Sequence, residues 1–284
     1  MATFYNQATL SYNGNTTTSN ITTGELVEVL SATKTAVQTE YQQDDTLTYV
    51  VNILNSGNTT MTGVTISDNL GAYTLNTLTL VPMDYVVGTV RYYVGGVLQP
   101  TPTVTAGPPL TISGLSVPAK GNVTVIYQAK TNDYAPLAQA SSITNTATIN
   151  ANNIANPITA SATVNAYGEP VLRISKSLTP TTVSENGQLT YTFIIQNYGN
   201  NTADETDALI VSDRFDPILN PITVAFNGTA WTEGTEYTYD ATTGQFVSTA
   251  GAITVPAASY TQDSATGAIS IVPGSATLTI TGTV

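Results

Sequence analysis

Residues 47–70 read LTYVVNILNSGNTTMTGVTISDNL, and this stretch indicates the fold more clearly than any other. Apolar residues recur at every second position in its first part and again before its end, which is the pattern of strands with one buried face. Between the two runs lies an N-x-G-N sequence, residues 55–58, which is rich in turn-forming residues. We therefore expect a strand, a tight turn and a second strand that ends at Asp68.

The same pattern recurs about 140 residues further along the chain, so the sequence contains an internal repeat. Residues 30–70 align with 172–215 through a strand that carries a lysine, an LTY sequence, the N-x-G-N turn and a strand that ends in SD. Residues 121–131 align with 274–284. Short strands separated by Gly, Asn, Asp and Pro turns are typical of immunoglobulin-like β-sandwiches, so we predict an all-β chain with two such domains in tandem. The predicted segments are an N-terminal segment at 1–29, domain 1 at 30–167 and domain 2 at 168–284.

The composition excludes several classes of function. The net charge is −12 with only 7 basic residues, so neither nucleic acid nor an anionic membrane is an expected partner. Cysteine and histidine are absent, which excludes disulfides, thiolate chemistry, histidine-dependent triads and histidine-ligated metals. No apolar run reaches the roughly 18 residues of a membrane-spanning helix. We expect no cofactor, no membrane insertion and no enzyme acting on an external substrate, although carboxylate chemistry stays open.

The quoted stretch and ITNTATI at residues 143–149 resemble the conserved Thr-rich Ig-like repeat of bacterial surface proteins, which often occurs in long tandem arrays. The resemblance covers most of the chain and is clearer in the first domain than in the second. It implies an extracellular protein of a cell surface, a spore surface or an appendage, and it implies no particular activity. A fragment of a tandem-repeat surface adhesin or stalk protein is the alternative that the resemblance leaves open.

The two repeats differ beyond their last shared strand. The first continues into SITNTATINANN at 142–153 and PITASATVNAYGEPVLRIS at 157–175, and no counterpart comes after residues 274–284. A matching stretch, FYNQATLSYNG, lies at residues 4–14. Because a sandwich that lacks two strands exposes a groove and unpaired edges, we expect residues 1–29 to supply the missing hairpin of domain 2. The predicted inward side chains of this donor strand are Phe4, Ala8, Leu10 and Tyr12.

We expect the hairpin to complete domain 2 of another molecule. Residue 30 leads directly into domain 1, so the hairpin should lie at the outer end of domain 1, away from its own domain 2. Each sandwich extends several nanometres at ~3.3 Å per strand residue, so folding back is not expected. A head-to-tail contact of this kind does not close, and it generates an open fibre. The predicted partner is the chain itself, held by backbone hydrogen bonds and alternating side chains of the added strands.

Three polar residue types interrupt the apolar alternation and share its inward phase. In domain 1 they are Lys34, Asp68 and Asn145. An unpaired ammonium is costly inside a core, so a partner is required. One interpretation is a buried Lys–Asp ion pair with the asparagine as a hydrogen-bond partner. The corresponding residues for domain 2 are Lys176, Asp213 and, from the hairpin, Asn6.

The other interpretation is a spontaneous isopeptide bond between lysine and asparagine. Burial favours the neutral amine, which is a nucleophile, and the protonated acid, which polarises the amide while ammonia leaves. The arrangement is similar to the self-crosslinking Ig-like domains of Gram-positive pili and adhesins. The resemblance implies an intramolecular bond from Lys34 to Asn145. If the hairpin completes domain 2 of the next molecule, the same chemistry predicts an intermolecular bond from Lys176 to Asn6. Asp68 and Asp213 are then the acids that promote the reaction.

Two acidic stretches, QQDD at 42–45 and DETD at 204–207, contain ligand types that calcium prefers. Exposed acidic turns are the simpler interpretation, so we predict no metal site. Trp231 and the tyrosines fit strand packing better than a carbohydrate-binding platform. The sequence therefore predicts a structural subunit of a bacterial extracellular fibre.

Overall fold

The structure is a computed structural model and describes residues 2–26, 29–152, 154 and 156–284. Regular secondary structure in this part of the chain is β-strand apart from one 3₁₀ turn at Glu205–Asp207. This confirms the all-β class expected from the alternating apolar pattern and the Thr-rich composition. Two compact units are present. Unit 1 comprises residues up to 135 with 143–164, and unit 2 comprises residues 136–142 with 165–284.

The first four strands form a long hairpin that belongs to unit 1. They are β1 (Ala2–Asn6), β2 (Thr9–Tyr12), β3 (Asn15–Thr18) and β4 (Thr22–Leu26). Antiparallel pairing joins β1 to β4 and β2 to β3, and among the described strands these four pair only with one another. The turn lies at Asn13 and Gly14, whose φ angles of 45° and 80° are those of a type I′ turn. Asn-Gly is the preferred sequence for this turn because both positions need a positive φ.

Unit 1 is otherwise built from two large sheets. One has the order β13-β12-β16-β7-β5 with β11 also paired to β16, the other has the order β14-β15-β8-β17-β18-β6, and β9 pairs with β10. The strands are β5 (Leu30–Ala36), β6 (Glu40–Tyr41), β7 (Thr46–Asn55), β8 (Met61–Asp68), β9 (Tyr73–Leu75), β10 (Leu78–Leu80), β11 (Met83–Tyr85), β12 (Arg91–Val94), β13 (Val97–Leu98), β14 (Thr103–Thr105), β15 (Leu110–Val117), β16 (Asn122–Thr131), β17 (Ser142–Asn150) and β18 (Ile158–Ala166).

The core of unit 1 lies between these two sheets. Every second residue of β7 and of β16 is buried, in the phase that the sequence predicts. The alternation therefore places one face of each strand in the core and the other in solvent. Buried residues along β7 are Leu47, Tyr49, Val51 and Ile53.

Unit 2 repeats part of this arrangement. Its sheets have the orders β19-β20-β28-β22-β23, β21-β25-β24 and β26-β27. Its core contains Phe193, Phe215, Phe246, Leu278 and Ile280 among other buried residues. The strands are β19 (Leu172–Thr179), β20 (Gln188–Asn197), β21 (Ser212–Arg214), β22 (Ile222–Phe226), β23 (Thr229–Ala230), β24 (Tyr237–Asp240), β25 (Gln245–Ser248), β26 (Ser259–Gln262), β27 (Ile269–Val272) and β28 (Gly274–Thr283).

The N-x-G-N turn of each repeat is held by its first asparagine. The side-chain oxygen of Asn55 accepts a hydrogen bond from the N–H of Gly57 at 2.9 Å, and that of Asn197 accepts one from Gly199 at 2.9 Å. Both asparagines are fully buried. Their amide nitrogens donate to backbone carbonyls, so neither side chain leaves an unsatisfied polar group in the interior. This explains why the motif recurs at the same place in both repeats.

Candidate functional site

The candidate site of unit 1 is a cluster of polar side chains from both sheets. Lys34 lies on β5, where the register places it opposite Val51 of β7. Asp68 is the last residue of β8 and lies opposite Ala147 of β17. Asn145 precedes Ala147 by two residues on β17, so both side chains point to the same face of the strand. The fold thus brings together three residues that are far apart in the chain.

A carboxylate oxygen forms the centre of this cluster. The Lys34 ammonium donates to Oδ2 of Asp68 at 2.6 Å, and the hydroxyl of Tyr127 on β16 donates to the same oxygen at 2.5 Å. The second oxygen, Oδ1, accepts the N–H of Leu70 at 3.0 Å. The side chains of Lys34 and Asp68 are both 0% exposed. Both charges are therefore removed from water and satisfied by protein groups, as a buried pair requires.

The amide of Asn145 is held at both ends. Its oxygen accepts the N–H of Gly71 at 3.2 Å, and its nitrogen donates to the Tyr127 hydroxyl at 3.2 Å. Gly71 has a φ of +77°, and a Cβ at this position would lie 2.4 Å from a methyl carbon of Ile143. Only glycine fits both the backbone and the packing here. Asp68, Tyr127 and Asn145 therefore form a continuous hydrogen-bonded chain that starts at Lys34.

Burial changes the acid–base properties of this cluster. Desolvation lowers the pKa of Lys34 from 10.5 to about 8, and the negative charge of Asp68 and its hydrogen bond only partly oppose this shift. Desolvation also raises the pKa of the Tyr127 and Tyr49 hydroxyls, with the nearby Asp68 charge acting in the same direction. The Lys34 ammonium lies 4.8 Å from the centre of the Tyr49 ring and 5.8 Å from that of Tyr127. The site thus holds an amine that loses its proton unusually easily, and hydrogen bonds through Asp68 and Tyr127 connect it to the amide of Asn145.

Unit 2 contains the corresponding ion pair in a more open setting. Lys176 on β19 donates to Oδ2 of Asp213 on β21 and lies 4.4 Å from the centre of the Tyr191 ring. The side chain of Lys176 is 40% exposed and that of Asp213 is 19% exposed. Among the described hydrogen bonds, no side-chain amide reaches either charged group. β21 pairs only with β25 among the described strands, whereas β8 of unit 1 pairs with both β15 and β17.

The predicted donor residues lie on the exposed hairpin. Phe4 is 58% and Leu10 is 61% exposed, and Ala8 and Tyr12 are exposed as well. Asn6 pairs with Thr22, and the described hydrogen bonds of its backbone stay within the hairpin. The structure therefore brings Lys34, Asp68 and Asn145 together and pairs Lys176 with Asp213, while Asn6 remains on a separate exposed element.

The sequence interpretation missed two participants, Tyr127 and Gly71. Tyr127 is in phase with the buried Val123 and Val125, so it reads as an ordinary aromatic core residue. Its side chain lies at an inward position of its strand, as that of Lys34 does on β5. This shared inward position was the signal in the sequence that could have identified Tyr127. The role of the Gly71 N–H depends on the conformation of the turn after β8, which alternation does not encode.

The acidic stretches form solvent-exposed turns. In 204–207 the Asp204 side chain accepts hydrogen bonds from the Thr206 hydroxyl at 2.6 Å and from the Thr206 N–H at 2.8 Å, which together lower the pKa of Asp204 and cap the 3₁₀ turn. In 42–45 the Asp45 side chain accepts the N–H of Gln42 at 2.7 Å, and Asp44 pairs with Lys130 at the surface. The described residues contain no group of three or more acidic side chains suited to a metal ion. They also contain no helix long and apolar enough to span a membrane.

No protein-family model matches the chain, and no curated protein matches it in sequence. Among solved structures it is similar to the full-length major pilin RrgB of Streptococcus pneumoniae, at 14% identity over 88% of this chain and 42% of the pilin with a TM-score of 0.37. It is similar to the major pilin SpaD of Corynebacterium diphtheriae, at 12% identity over 86% of this chain and 59% of the pilin with a TM-score of 0.36. It is also similar to BcpA, the major pilin subunit of Bacillus cereus, at 11% identity over 96% of this chain and 73% of the pilin with a TM-score of 0.38.

The chain spans 55% of the length of the RrgB pilus-backbone structure and less than half of full-length RrgB. At these identities and TM-scores the likeness carries no conclusion about fold or activity. The function is therefore argued from the geometry of the two sites.

Proposed function

We propose that this chain is a structural subunit of a bacterial extracellular fibre, in which the β1–β4 hairpin of one molecule completes unit 2 of the next. Spontaneous Lys–Asn isopeptide bonds, one inside unit 1 and one at each joint, then make the fibre permanent. The observation that carries the proposal is the difference between the inward faces of β5 and β19. These are equivalent strands of the two repeats, and only the first is covered.

The face of β19 that carries Lys176 is open to solvent. The register places Ile174 opposite Ile195 and Lys176 opposite Phe193, both of which are core residues, so this is the inward face of the strand. Ile174 is nonetheless 56% exposed. On β5 the corresponding face is covered, and Leu30 and Lys34 are buried. An apolar face that its own unit leaves uncovered is a suitable surface for added strands.

The hairpin carries the same side-chain pattern as β17, the strand that brings Asn145 into the cluster of unit 1. On β17 the inward residues have the order large, Asn, Ala, large, and all four are buried. Along the first arm of the hairpin, which runs through β1, residues 7–8 and β2, the same order occurs at the same spacing, and all four residues are exposed. The two sets are Ile143, Asn145, Ala147 and Ile149 on β17, and Phe4, Asn6, Ala8 and Leu10 on the hairpin.

The pairing of the hairpin also matches that of β17 with β18. Side-chain hydrogen bonds join Thr144 to Thr163 and Thr146 to Ser161, which places Asn145 opposite Ala162 of β18. Asn6 lies opposite Thr22 of β4, and these two residues are separated along the chain by nearly the same number of residues as Asn145 and Ala162. Burying Phe4 and Leu10 in the joint would contribute on the order of 1.5–3 kcal/mol for each side chain. Backbone hydrogen bonds along the free edge of β21 would add to this.

The docked hairpin would place an amide where unit 2 lacks one. With Ala8 opposite Asp213, as Ala147 is opposite Asp68, Asn6 takes the position that Asn145 has in unit 1. Lys176 and Asp213 then face an asparagine from another molecule. Loss of water on docking favours the neutral amine, so the bond forms only after docking. Because the contact is heterologous and does not close, repeated docking gives an unbranched fibre.

Removal of the hairpin tests this proposal. We expect the full chain to form thin fibres by negative-stain microscopy and a variant that lacks residues 2–26 to stay monomeric. A peptide of residues 2–26 should bind that variant and, added in excess, should stop growth of full-length fibres. Fibres of the same width from the deletion variant would overturn strand donation. A full chain that stays monomeric would favour the alternative of a segment from a tandem-repeat adhesin or stalk.

A further inference from the structure

The Tyr127 hydroxyl contacts both Asp68 and Asn145. A proton must move between these two groups if an isopeptide bond forms in unit 1. The hydroxyl donates to Oδ2 of Asp68 at 2.5 Å and accepts from Nδ2 of Asn145 at 3.2 Å. A tyrosine that only satisfied a buried carboxylate would need the first contact alone. The second contact is with the nitrogen that must leave as ammonia if Lys34 and Asn145 form an isopeptide bond.

Unit 2 has no hydroxyl at the equivalent place. The register sets Tyr127 of β16 opposite Tyr49 of β7, and it sets Ile280 of β28 opposite Tyr191 of β20. Tyr49 and Tyr191 are the tyrosines of the two LTY sequences, so Ile280 is the counterpart of Tyr127. The lysine, the acid and the first tyrosine are therefore present in both repeats, and the bridging hydroxyl is present in unit 1 alone.

We propose that Tyr127 is a catalytic residue of bond formation in unit 1, with its hydroxyl passing a proton from Asp68 to the departing nitrogen of Asn145. The N–H of Gly71, which already contacts the amide oxygen, stabilises the negative charge that develops there. This inference rests on the isopeptide bond of the proposed function and adds two groups to its chemistry.

The reaction balances with the groups present. Lys34 transfers a proton to Asp68, and its neutral Nζ attacks Cγ of Asn145, which places the charge on Oδ1 beside the Gly71 N–H. Asp68 gives its proton to the Tyr127 oxygen as the tyrosine gives its own to Nδ2, and the Cγ–Nδ2 bond breaks. Nζ returns its remaining extra proton to Asp68, from which it passes to solvent or to another base. The overall change is amine plus primary amide to secondary amide plus ammonia, with no oxidant or reductant.

The test compares two variants that each lose one buried tyrosine hydroxyl. Chain recovered unfolded from inclusion bodies is diluted into folding buffer, and the loss of about 17 Da, one ammonia per bond, is followed by intact mass. We expect Tyr127→Phe to slow bond formation by at least about 100-fold, the lower range for general acid–base groups. Tyr92→Phe is the matched control, since its buried hydroxyl bonds to the backbone of Ser116 and not to the cluster, and it should react at close to the wild-type rate.

The outcomes separate this inference from the proposed function. Wild-type protein that keeps its full mass contradicts the bond itself. Wild-type protein that loses ammonia, with Tyr127→Phe reacting equally fast, overturns the relay and leaves the bond in place. If Tyr127→Phe does not fold, 3-fluorotyrosine at position 127 keeps the ring and the hydroxyl and changes only the acidity of the phenol. The relay predicts a changed rate for that variant, and an unchanged rate overturns it.

Discussion

The two units contain the same lysine–aspartate pair in different surroundings. In unit 1 the pair is fully buried, and β17 pairs with β8 and brings Asn145 into the cluster. In unit 2 the pair is partly exposed, and β19 has an uncovered inward face. The difference teaches that the lysine alone does not define the site. In the function that we propose, the strand that brings the asparagine decides whether the bond forms within a molecule or between molecules.

The largest expected effect comes from removing the amide or the amine of the joint. We expect wild-type fibres that are boiled in denaturant to run as a ladder of multimers, because each joint is covalent. Asn6→Ala or Lys176→Ala should give fibres that dissolve completely to monomers in the same gel. Asn145→Ala is the matched control and should keep the ladder, since it removes the bond inside unit 1 only. A wild-type sample that boils to monomer would leave strand donation without a covalent joint.

A charge on the uncovered face of β19 should block assembly. Ile174→Asp places a carboxylate where the hairpin would bury an isoleucine, so we expect no fibres in light scattering or by microscopy. Ile194→Asp is the control, because Ile194 lies on the adjacent strand opposite Ser175 and faces the other way. This variant should assemble normally. Equal behaviour of the two variants would show that the inward face of β19 is not the acceptor.

The two ion pairs should differ in what they contribute to stability. In a chain that carries Asn145→Ala, and so forms no bond in unit 1, Lys34→Ala leaves the buried Asp68 charge uncompensated, and we expect the free energy of unfolding of unit 1 to fall by about 3–5 kcal/mol. Lys176→Ala affects a partly exposed pair, so in the unassembled chain the loss should be about 1 kcal/mol or less. Unfolding in urea, monitored by circular dichroism, reports on both units. Trp231, the single tryptophan, reports on unit 2 by fluorescence. Similar losses at the two sites would contradict the contrast in burial.

The rate of bond formation in unit 1 should depend weakly on pH below about pH 8 and should fall above that value. Below its pKa of about 8, Lys34 carries the proton that the reaction moves through Asp68 and Tyr127 to the leaving nitrogen. Above that value the proton is lost, and Asp68 has nothing to pass on through Tyr127, while Tyr49 and Tyr127 remain protonated because their pKa values are raised. Refolding between pH 6 and pH 10 with intact-mass sampling measures the profile. A rate that rises steadily above about pH 8 would indicate that the neutral amine alone limits the reaction.

The sequence predicted the features of the fold and the site that depend on alternation. The inward phase of Lys34, Asp68 and Asn145 follows from counting every second residue, and the all-β class follows from the same pattern. The sequence did not predict Tyr127 or Gly71 as site residues. Tyr127 has the pattern of an ordinary core tyrosine, and Gly71 acts through a backbone N–H whose position depends on the turn. The uncovered face of β19 could be anticipated only from the comparison of the repeats, since its apolar pattern is that of a buried strand.

One measurement tests the central claim that unit 2 is completed by another molecule. Subunits labelled with ¹⁵N and unlabelled subunits are mixed in denaturant, refolded together into fibres and digested with trypsin. We expect branched peptides that join Asn6 to Lys176 and combine labelled with unlabelled chains. We also expect that peptides joining Lys34 to Asn145 are never mixed, and that they appear earlier in a time course because unit 2 lacks the counterpart of Tyr127. Asn6–Lys176 peptides in which both halves always carry the same label would contradict the claim, and the absence of such peptides from intact fibres would contradict the covalent joint.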